Sequence, residues 1–258
     1  MKKHRQLNLQ TVFIILTIVF NSCNTDSTSN NRGTAVSGCK EIVDLGMLIT
    51  EDLPERIIGK AAMDHMGWEK NNEFDVRHWE FPTGDADTIK GSDTYFTLFN
   101  HAGTHVDAPN HMNAGGGIDS YPLDAFIGPV KVFDVSAYSE EHPVPKTVFE
   151  NKVSAGDIVI AFVNYNPAQP RHENPGFSTH LSEEAAEFLA GLPVRAFGTD
   201  AASAGASHPA FLPRKIPIYE QLINVDKLLG KDNMLFIGVP INIQNADGSF
   251  VRPVVMVY

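Results

Sequence analysis

The sequence predicts a single α/β domain built on a mixed sheet, and three observations predict it. Short runs rich in Val, Ile and Phe recur along the chain, each bounded by Gly or Pro, as strands are. Only one long segment carries a full set of helix signals. No Gly-rich phosphate loop opens a helix, which argues against a doubly wound nucleotide-binding fold. The 258 residues, 43% hydrophobic and 20% charged, suffice to bury a full-sized core without metal or disulfide support.

The strand signals begin near "KEIVDLGMLI" (40–49). Residues 51–92 are mixed, with Met63, Met66, Trp68 and Trp79 scattered among charges, and predict no clear element. "TYFTLFN" (94–100) is a β-rich run that feeds directly into a histidine-rich stretch. "PVKVFDVS" (129–136) and "GDIVIAFVNY" (156–165) read as strands. "STHLSEEAAEFLAGL" (178–192) is the clearest helix. Ser182 or Thr179 can cap it, Glu183 and Glu184 suit its first turn, and Gly191 ends it. "PVRAFGTDA" (193–201) reads as strand and turn, and "VDKLLG" as a short helical piece. "NMLFIGVPI" and "VRPVVMVY" are further strands, the last following a "NADGS" turn. "GGG" (115–117) lacks the Lys-Ser/Thr partner of a phosphate loop and is read as a turn.

The N-terminus reads as an export signal. "MKKHRQ" is basic, and the apolar run Val12–Phe20, broken only by Thr17, is too short for a comfortable membrane span. Cys23, after the small residue Ser22, resembles the lipidated cysteine of a bacterial lipoprotein signal. This predicts a signal peptide at 1–22, a polar tether at 23–39 and a folded domain at 40–258. The expected product is an exported lipoprotein, held at a bacterial membrane through lipid on Cys23 in the periplasm or at the cell surface. Simple cleavage near Ser22, giving a soluble exported protein, is the alternative. With Cys23 lipidated, Cys39 is an isolated structural thiol; without lipid, a Cys23–Cys39 bridge is open. Loss of Lys2, Lys3 and Arg5 leaves 17 basic against 31 acidic residues, a net of −14. That balance argues against a nucleic-acid surface or a polybasic membrane patch.

"HAGTHVDAPNH" (101–111) carries the chemistry. Three of the chain's 10 histidines and an aspartate fall within eleven residues. In a straight strand, His101 and His105 would stand about 13 Å apart at roughly 3.3 Å per residue. Two ligands of one ion must lie within about 4.5 Å, given bonds of about 2.1 Å. The chain must therefore bend between them, and Gly103 is where it can. Imidazole and carboxylate without thiolate favour zinc or manganese.

These eleven residues resemble the His-x-Gly-Thr-His-x-Asp-x-Pro-x-His signature of the metal-dependent cyclase family, which includes bacterial kynurenine formamidases and isatin hydrolases. "GGGIDSYPLDAFIGPVKVFDVS", "SAGDIVIAF", "LSEEAAEFLA", "FGTDAAS" and "NADGSFVRPVVMV" are similar to further family segments, so the resemblance spans about 41–258. It implies a swivelling β/β/α-type domain, assembled as a homodimer or homotetramer. It implies that His101, His105 and Asp107 bind metal and that His111 moves protons. In "SHPAFLPRKIPIYEQLINVDKL" it places the remaining ligands at His208 and Glu220, twelve residues apart. His180 competes with His208 but sits at the start of the expected helix.

The function implied is hydrolysis of an amide, formamide or lactam C–N bond other than a peptide bond. Metal-bound hydroxide would be the nucleophile, with one or two zinc or manganese ions and a small-molecule substrate such as N-formylkynurenine or isatin. The region 60–90 lacks a Trp-Pro-Gly-Asp segment, and "AFVNY" replaces an Arg/Thr-Gly-Trp type ending, so the substrate departs from the formamidase pattern. Export points the same way, since tryptophan catabolism is usually cytoplasmic. A non-catalytic metal- or ligand-binding exported lipoprotein is the alternative of another class. A serine hydrolase centred on "AASAG" (201–205) is disfavoured because Ala replaces the leading glycine of Gly-x-Ser-x-Gly.

Overall fold

A computed structural model describes residues 37–50, 75–82, 90–166 and 175–258. The expected signal peptide, Cys23, most of the tether, Met63, Met66 and Trp68 lie outside the described residues. In chain order the strands are β1 (Glu41–Asp44), β2 (Asp75–Pro82), β3 (Lys90–Thr97), β4 (His105–Asp107), β5 (Ile127–Asp134) and β6 (Ile158–Phe162). Helix α1 (Glu183–Gly191) precedes β7 (Ala196–Thr199), and the single turn α2 (His208–Phe211) precedes β8 (Ile218–Glu220). β9 (Met234–Ile237), β10 (Gly248–Phe250) and β11 (Val254–Val257) complete the set.

Among the described residues, nine strands form one mixed sheet in the order β1–β11–β9–β5–β6–β7–β8–β4–β10. Its centre, β5 to β8, is parallel, and both flanks are antiparallel. Parallel strands covered on both faces need apolar residues at every position, and β6 reads Ile-Val-Ile-Ala-Phe. Ile158 and Ile160 pack on one side with Val106, Tyr219 and Phe236. Val159 and Ala161 pack on the other with Phe197, Ile218 and the buried stripe of α1. The mixed sheet expected from the sequence is the one observed.

Helix α1 forms where its signals stand. The Ser182 hydroxyl accepts from the Ala185 amide at 3.1 Å, and Glu183 and Glu184 lie in the first turn. Thr179, the other expected cap, instead donates to the Ala204 carbonyl at 3.1 Å. "VDKLLG" becomes a 3-10 turn over Val225–Leu228. The hard-to-read region contributes β2 and the start of β3, whose second half is the expected β-rich run at 94–97; together they form a two-stranded ribbon. Cys39 is buried, and its thiol donates to the Glu41 carbonyl at 3.2 Å.

The pairing around β4 positions the site. β4 lies between β8 and β10, with His105 opposite both Glu220 and Phe250. Side chains alternate along a strand. Val106 therefore faces the core that holds Tyr219, while His105 and Asp107 face the side that carries α1 and α2.

Candidate metal centre

His101 and His105 do come together, and the chain turns between them at Gly103, whose φ is 74°. Their ring centroids lie 4.8 Å apart, far closer than a straight strand allows. Pro109 opens a 3-10 turn over Pro109–Met112 that brings His111 back over His101, with ring centroids at 4.4 Å. His208 arrives from α2, which closely follows β7. Glu220 arrives from β8 across the ladder.

All six residues singled out in the sequence therefore converge. His101 Nδ1 lies 2.8 Å and His105 Nε2 3.2 Å from Asp107 Oδ1, while His208 Nε2 lies 3.2 Å from Asp107 Oδ2. Glu220 divides its oxygens likewise, with Oε2 3.6 Å from His105 Nε2 and Oε1 3.1 Å from His208 Nε2. His101, His105, Asp107, His208 and Glu220 are buried, whereas the His111 side chain is 34% exposed at the rim. His180 belongs to none of the clusters of three or more possible metal ligands among the described residues.

Each buried ring is anchored by its outer nitrogen. His105 Nδ1 meets the Gly103 carbonyl at 2.8 Å, His208 Nδ1 the Gly205 carbonyl at 2.6 Å, and His101 Nε2 the Asp247 carboxylate at 2.9 Å. In the neutral ring, an N–H spent outward fixes the tautomer and leaves the inner nitrogen with a lone pair. His208 Nε2 shares a hydrogen bond with Asp107 Oδ2 at 3.2 Å, but the remaining inner atoms are close and poorly aligned: His105 Nε2 and Asp107 Oδ1 are buried with no hydrogen-bond partner. Short contacts without hydrogen-bond alignment are the geometry of donors aimed at a common point. Buried polar atoms are seldom left unsatisfied, so these orphans are informative.

The electrostatics agree. Burial disfavours charge on His101, but Asp107 and Asp247 outweigh it and lift the ring to about 9. Burial acts the same way on His208, and Asp107 with Glu220 lift it to about 11. Burial pushes the Asp107 carboxyl up, yet the rings of His105, His101 and His208 hold it well below the usual carboxylate range. The cluster thus favours positive charge at its centre, a preference that a divalent cation satisfies.

Comparison with known proteins gives the family. The model of the family described as "Putative cyclase" matches residues 16–206. The chain belongs to this cyclase family. Its relatives include a kynurenine formamidase of Salinibacter ruber, 30% identical over 165 residues, which span 61% of this chain and 76% of that protein. The fold is similar to that of isatin hydrolase A from Labrenzia aggregata, with a TM-score of 0.63 at 23% identity, covering 84% of this chain and 93% of the other. It is also similar to a protein described as a predicted metal-dependent hydrolase from Bacillus stearothermophilus, with a TM-score of 0.53 at 20% identity, covering 84% and 98%.

One residue of this cyclase-family site escaped the sequence reading. Asp247 lies in the "NADGS" segment, which the sequence marks as a turn and as part of a family-like segment without giving it a site role. It meets His101 Nε2 and lies 3.5 Å from His111 Nδ1. Hydrogen bonds from His101 and Asn100 hold its carboxyl below the usual range. Nothing in a turn-forming Asp-Gly pair distinguishes a carboxylate that caps a loop from one that faces a histidine 146 residues away. Ser203, the serine of "AASAG", accepts the Gly205 amide at 3.0 Å within its own turn.

Proposed function

We propose that this chain is a metal-dependent hydrolase acting on the C–N bond of a small amide, formamide or lactam rather than on a peptide bond. The observation that carries the reading is the convergence of three outward-anchored imidazoles on Asp107 and Glu220, with His105 Nε2 and Asp107 Oδ1 buried and without hydrogen-bond partners. Neutral imidazole nitrogens and carboxylate oxygens, with no thiolate, suit zinc or manganese. His101, His105 and Asp107 would hold one ion, and His208 and Glu220, with Asp107 shared, would complete a set for two. When bound, such an ion supplies Lewis acidity and lowers the pKa of a coordinated water towards neutrality.

The chain's own residues supply the remainder. The anchors on Gly103, Gly205 and Asp247 occupy the outer nitrogens and aim the inner ones at the centre, where a bound cation would take the place of a proton. The buried walls keep bulk water from the carboxylates and strengthen every charge interaction inside. His111, at the exposed rim, is the group a substrate would meet first, and it is placed to hand a proton to the leaving nitrogen. The names of the formamidase and isatin hydrolase relatives support formamide and lactam as the substrate classes to try.

The test is hydrolysis of N-formylkynurenine, isatin and simple aryl amides by metal-stripped, zinc-loaded and manganese-loaded protein. Turnover of at least one compound, dependent on metal, is expected. His111→Ala should bind metal and lose turnover. Metal binding by the wild type without turnover of any compound would overturn the reading in favour of capture.

A further inference from the structure

We infer that Asp247 is a positioning residue for two histidines at once, fixing His101 as a metal ligand and orienting His111 as the proton carrier. This rests on the reading of the cluster as a metal-dependent hydrolytic centre. Asp247 Oδ2 lies 2.9 Å from His101 Nε2 and 3.5 Å from His111 Nδ1. One oxygen thus faces a residue that would bind metal and a residue that would move protons.

The carboxylate is itself held in place. Its Oδ1 accepts from Asn100 Nδ2 at 2.7 Å, and the same amide group donates to the Gly248 carbonyl at 3.1 Å. The Asp247 carbonyl accepts from the Ala108 amide at 2.8 Å, tying the turn to the end of β4. At the next position the His101 ring lies against bare backbone. A Cβ on Gly248 would stand 2.8 Å from His101 Cε1 and 3.0 Å from the Val106 carbonyl. The C-terminal turn is therefore a fitted wall for the His101 ring, and Asp247 is the part of it that reads the ring's proton.

The three buried histidines differ in one respect. His105 and His208 rest on the neutral carbonyls of Gly103 and Gly205, whereas His101 rests on a carboxylate. A carboxylate behind an imidazole makes its inner nitrogen a stronger donor, and removing such a partner commonly costs about 10–100-fold in metal affinity. For His111, a carboxylate beside Nδ1 leaves Nε2 to face the substrate. The 3.5 Å separation is long for a hydrogen bond, as such contacts often are before substrate binds.

The experiment uses the full chain carrying Asp247→Asn, with Asn100→Ala as a milder variant that removes only the support on Oδ1, and Asp107→Asn as a reference. Zinc affinity and stoichiometry are read by competition with a chromophoric chelator, and kcat and KM at saturating zinc. Thermal midpoints of the metal-stripped proteins check the fold. Asp247→Asn should keep its fold, lose about 10–100-fold in zinc affinity, and lose kcat at saturating zinc with little change in KM. Asn100→Ala should shift both in the same direction by less.

Wild-type affinity and kcat in Asp247→Asn, with zinc binding abolished in Asp107→Asn, would overturn the inference and leave the metal centre standing. Full kcat at saturating zinc would remove the His111 role. Loss of one whole equivalent of zinc would make Asp247 a ligand rather than a positioning residue. Unchanged zinc binding in Asp107→Asn would instead overturn the reading of the centre itself.

Discussion

Glu220 stands directly opposite His105 across the antiparallel β4–β8 ladder, with Oε2 3.6 Å from His105 Nε2. The backbone pairing of two three-residue strands thereby decides that a glutamate 115 positions later in the chain joins the histidine cluster. Register matters because a slip of one residue would turn Glu220 to the opposite face of the sheet. Ile218 and Tyr219 specify that register: both are fully buried, on opposite faces.

Glu220→Gln should therefore impair metal binding without unfolding the protein. The amide oxygen of Gln can still accept the hydrogen bond that the Ala204 amide gives to Glu220 Oε1, while the negative charge is lost. Zinc affinity is expected to fall at least tenfold, about 1.4 kcal/mol, with the thermal midpoint of the metal-stripped protein within a few degrees of wild type. Calorimetric titration and a thermal melt check the two halves; undiminished affinity would show that Glu220 lies outside the ligand set.

Much of this cluster was legible because its residues are local. His101, His105, Asp107 and His111 fall within eleven residues, and the geometric need for a bend at Gly103 follows from bond lengths alone. His208 and Glu220 were legible only through family resemblance, since a histidine opening a four-residue helix and a glutamate ending a short strand carry no chemical pattern of their own. Of the ribbon β2–β3, the second half of β3 was legible in the β-rich "TYFTLFN", and β2 was not. The β2 aromatics Trp79 and Phe81 are exposed, so the usual rule that large apolar side chains mark a buried face gives no signal there. In contrast, β6 and α1 follow directly from their sequences, because burial on both faces and an Ser-Glu-Glu start leave few other readings.

Ser182→Ala tests the simplest of these local rules. The lost hydroxyl leaves the Ala185 amide without its capping acceptor at 3.1 Å. A destabilisation of about 1 kcal/mol is expected, read from the urea midpoint with an unchanged slope. Because α1 carries part of the core that backs β7, a much larger loss would show that the cap organises more than its own turn.

Asp200 gives a pH dependence that is independent of metal. Its carboxylate accepts from the Val163 amide at 2.7 Å and the Tyr165 amide at 3.0 Å, but burial outweighs these bonds and lifts its pKa from 3.8 to about 6. A raised acid binds its proton more tightly when folded, so its stabilising contribution is present below about pH 4 and is lost as pH rises to about 6. The span is about 3 kcal/mol. Asp200→Asn removes that dependence and costs a hydrogen bond at every pH, because its NH2 faces an amide donor. The deficit of Asp200→Asn relative to wild type should therefore shrink between pH 4 and 6 in chemical denaturation. A deficit that is constant or grows over this range would show that the backbone amides, not burial, set the carboxyl's charge.

We propose that Cys23 is lipidated after export. Mature protein from a bacterial host should carry the added mass of acyl chains on Cys23 and partition with membranes, and Cys23→Ser should appear in the soluble exported fraction. Mass spectrometry of the intact protein decides it: a mature chain that begins near Cys23 without added mass would mean a soluble exported enzyme.

Three carboxylates, those of Asp107, Glu220 and Asp247, face one another through the histidine rings, so a cation bound there would stabilise the folded chain over the unfolded one. At a free zinc concentration about 100 times its Kd, the gain is about 2.7 kcal/mol. For a domain of this size each kcal/mol raises the melting temperature by about 2–4 °C. Zinc or manganese should thus raise the midpoint of the chelator-treated protein by about 5–10 °C. Asp107→Asn, which removes the carboxylate shared by His101, His105 and His208, should abolish the rise while still folding. A rise of equal size in Asp107→Asn would place the stabilising ion elsewhere on the molecule.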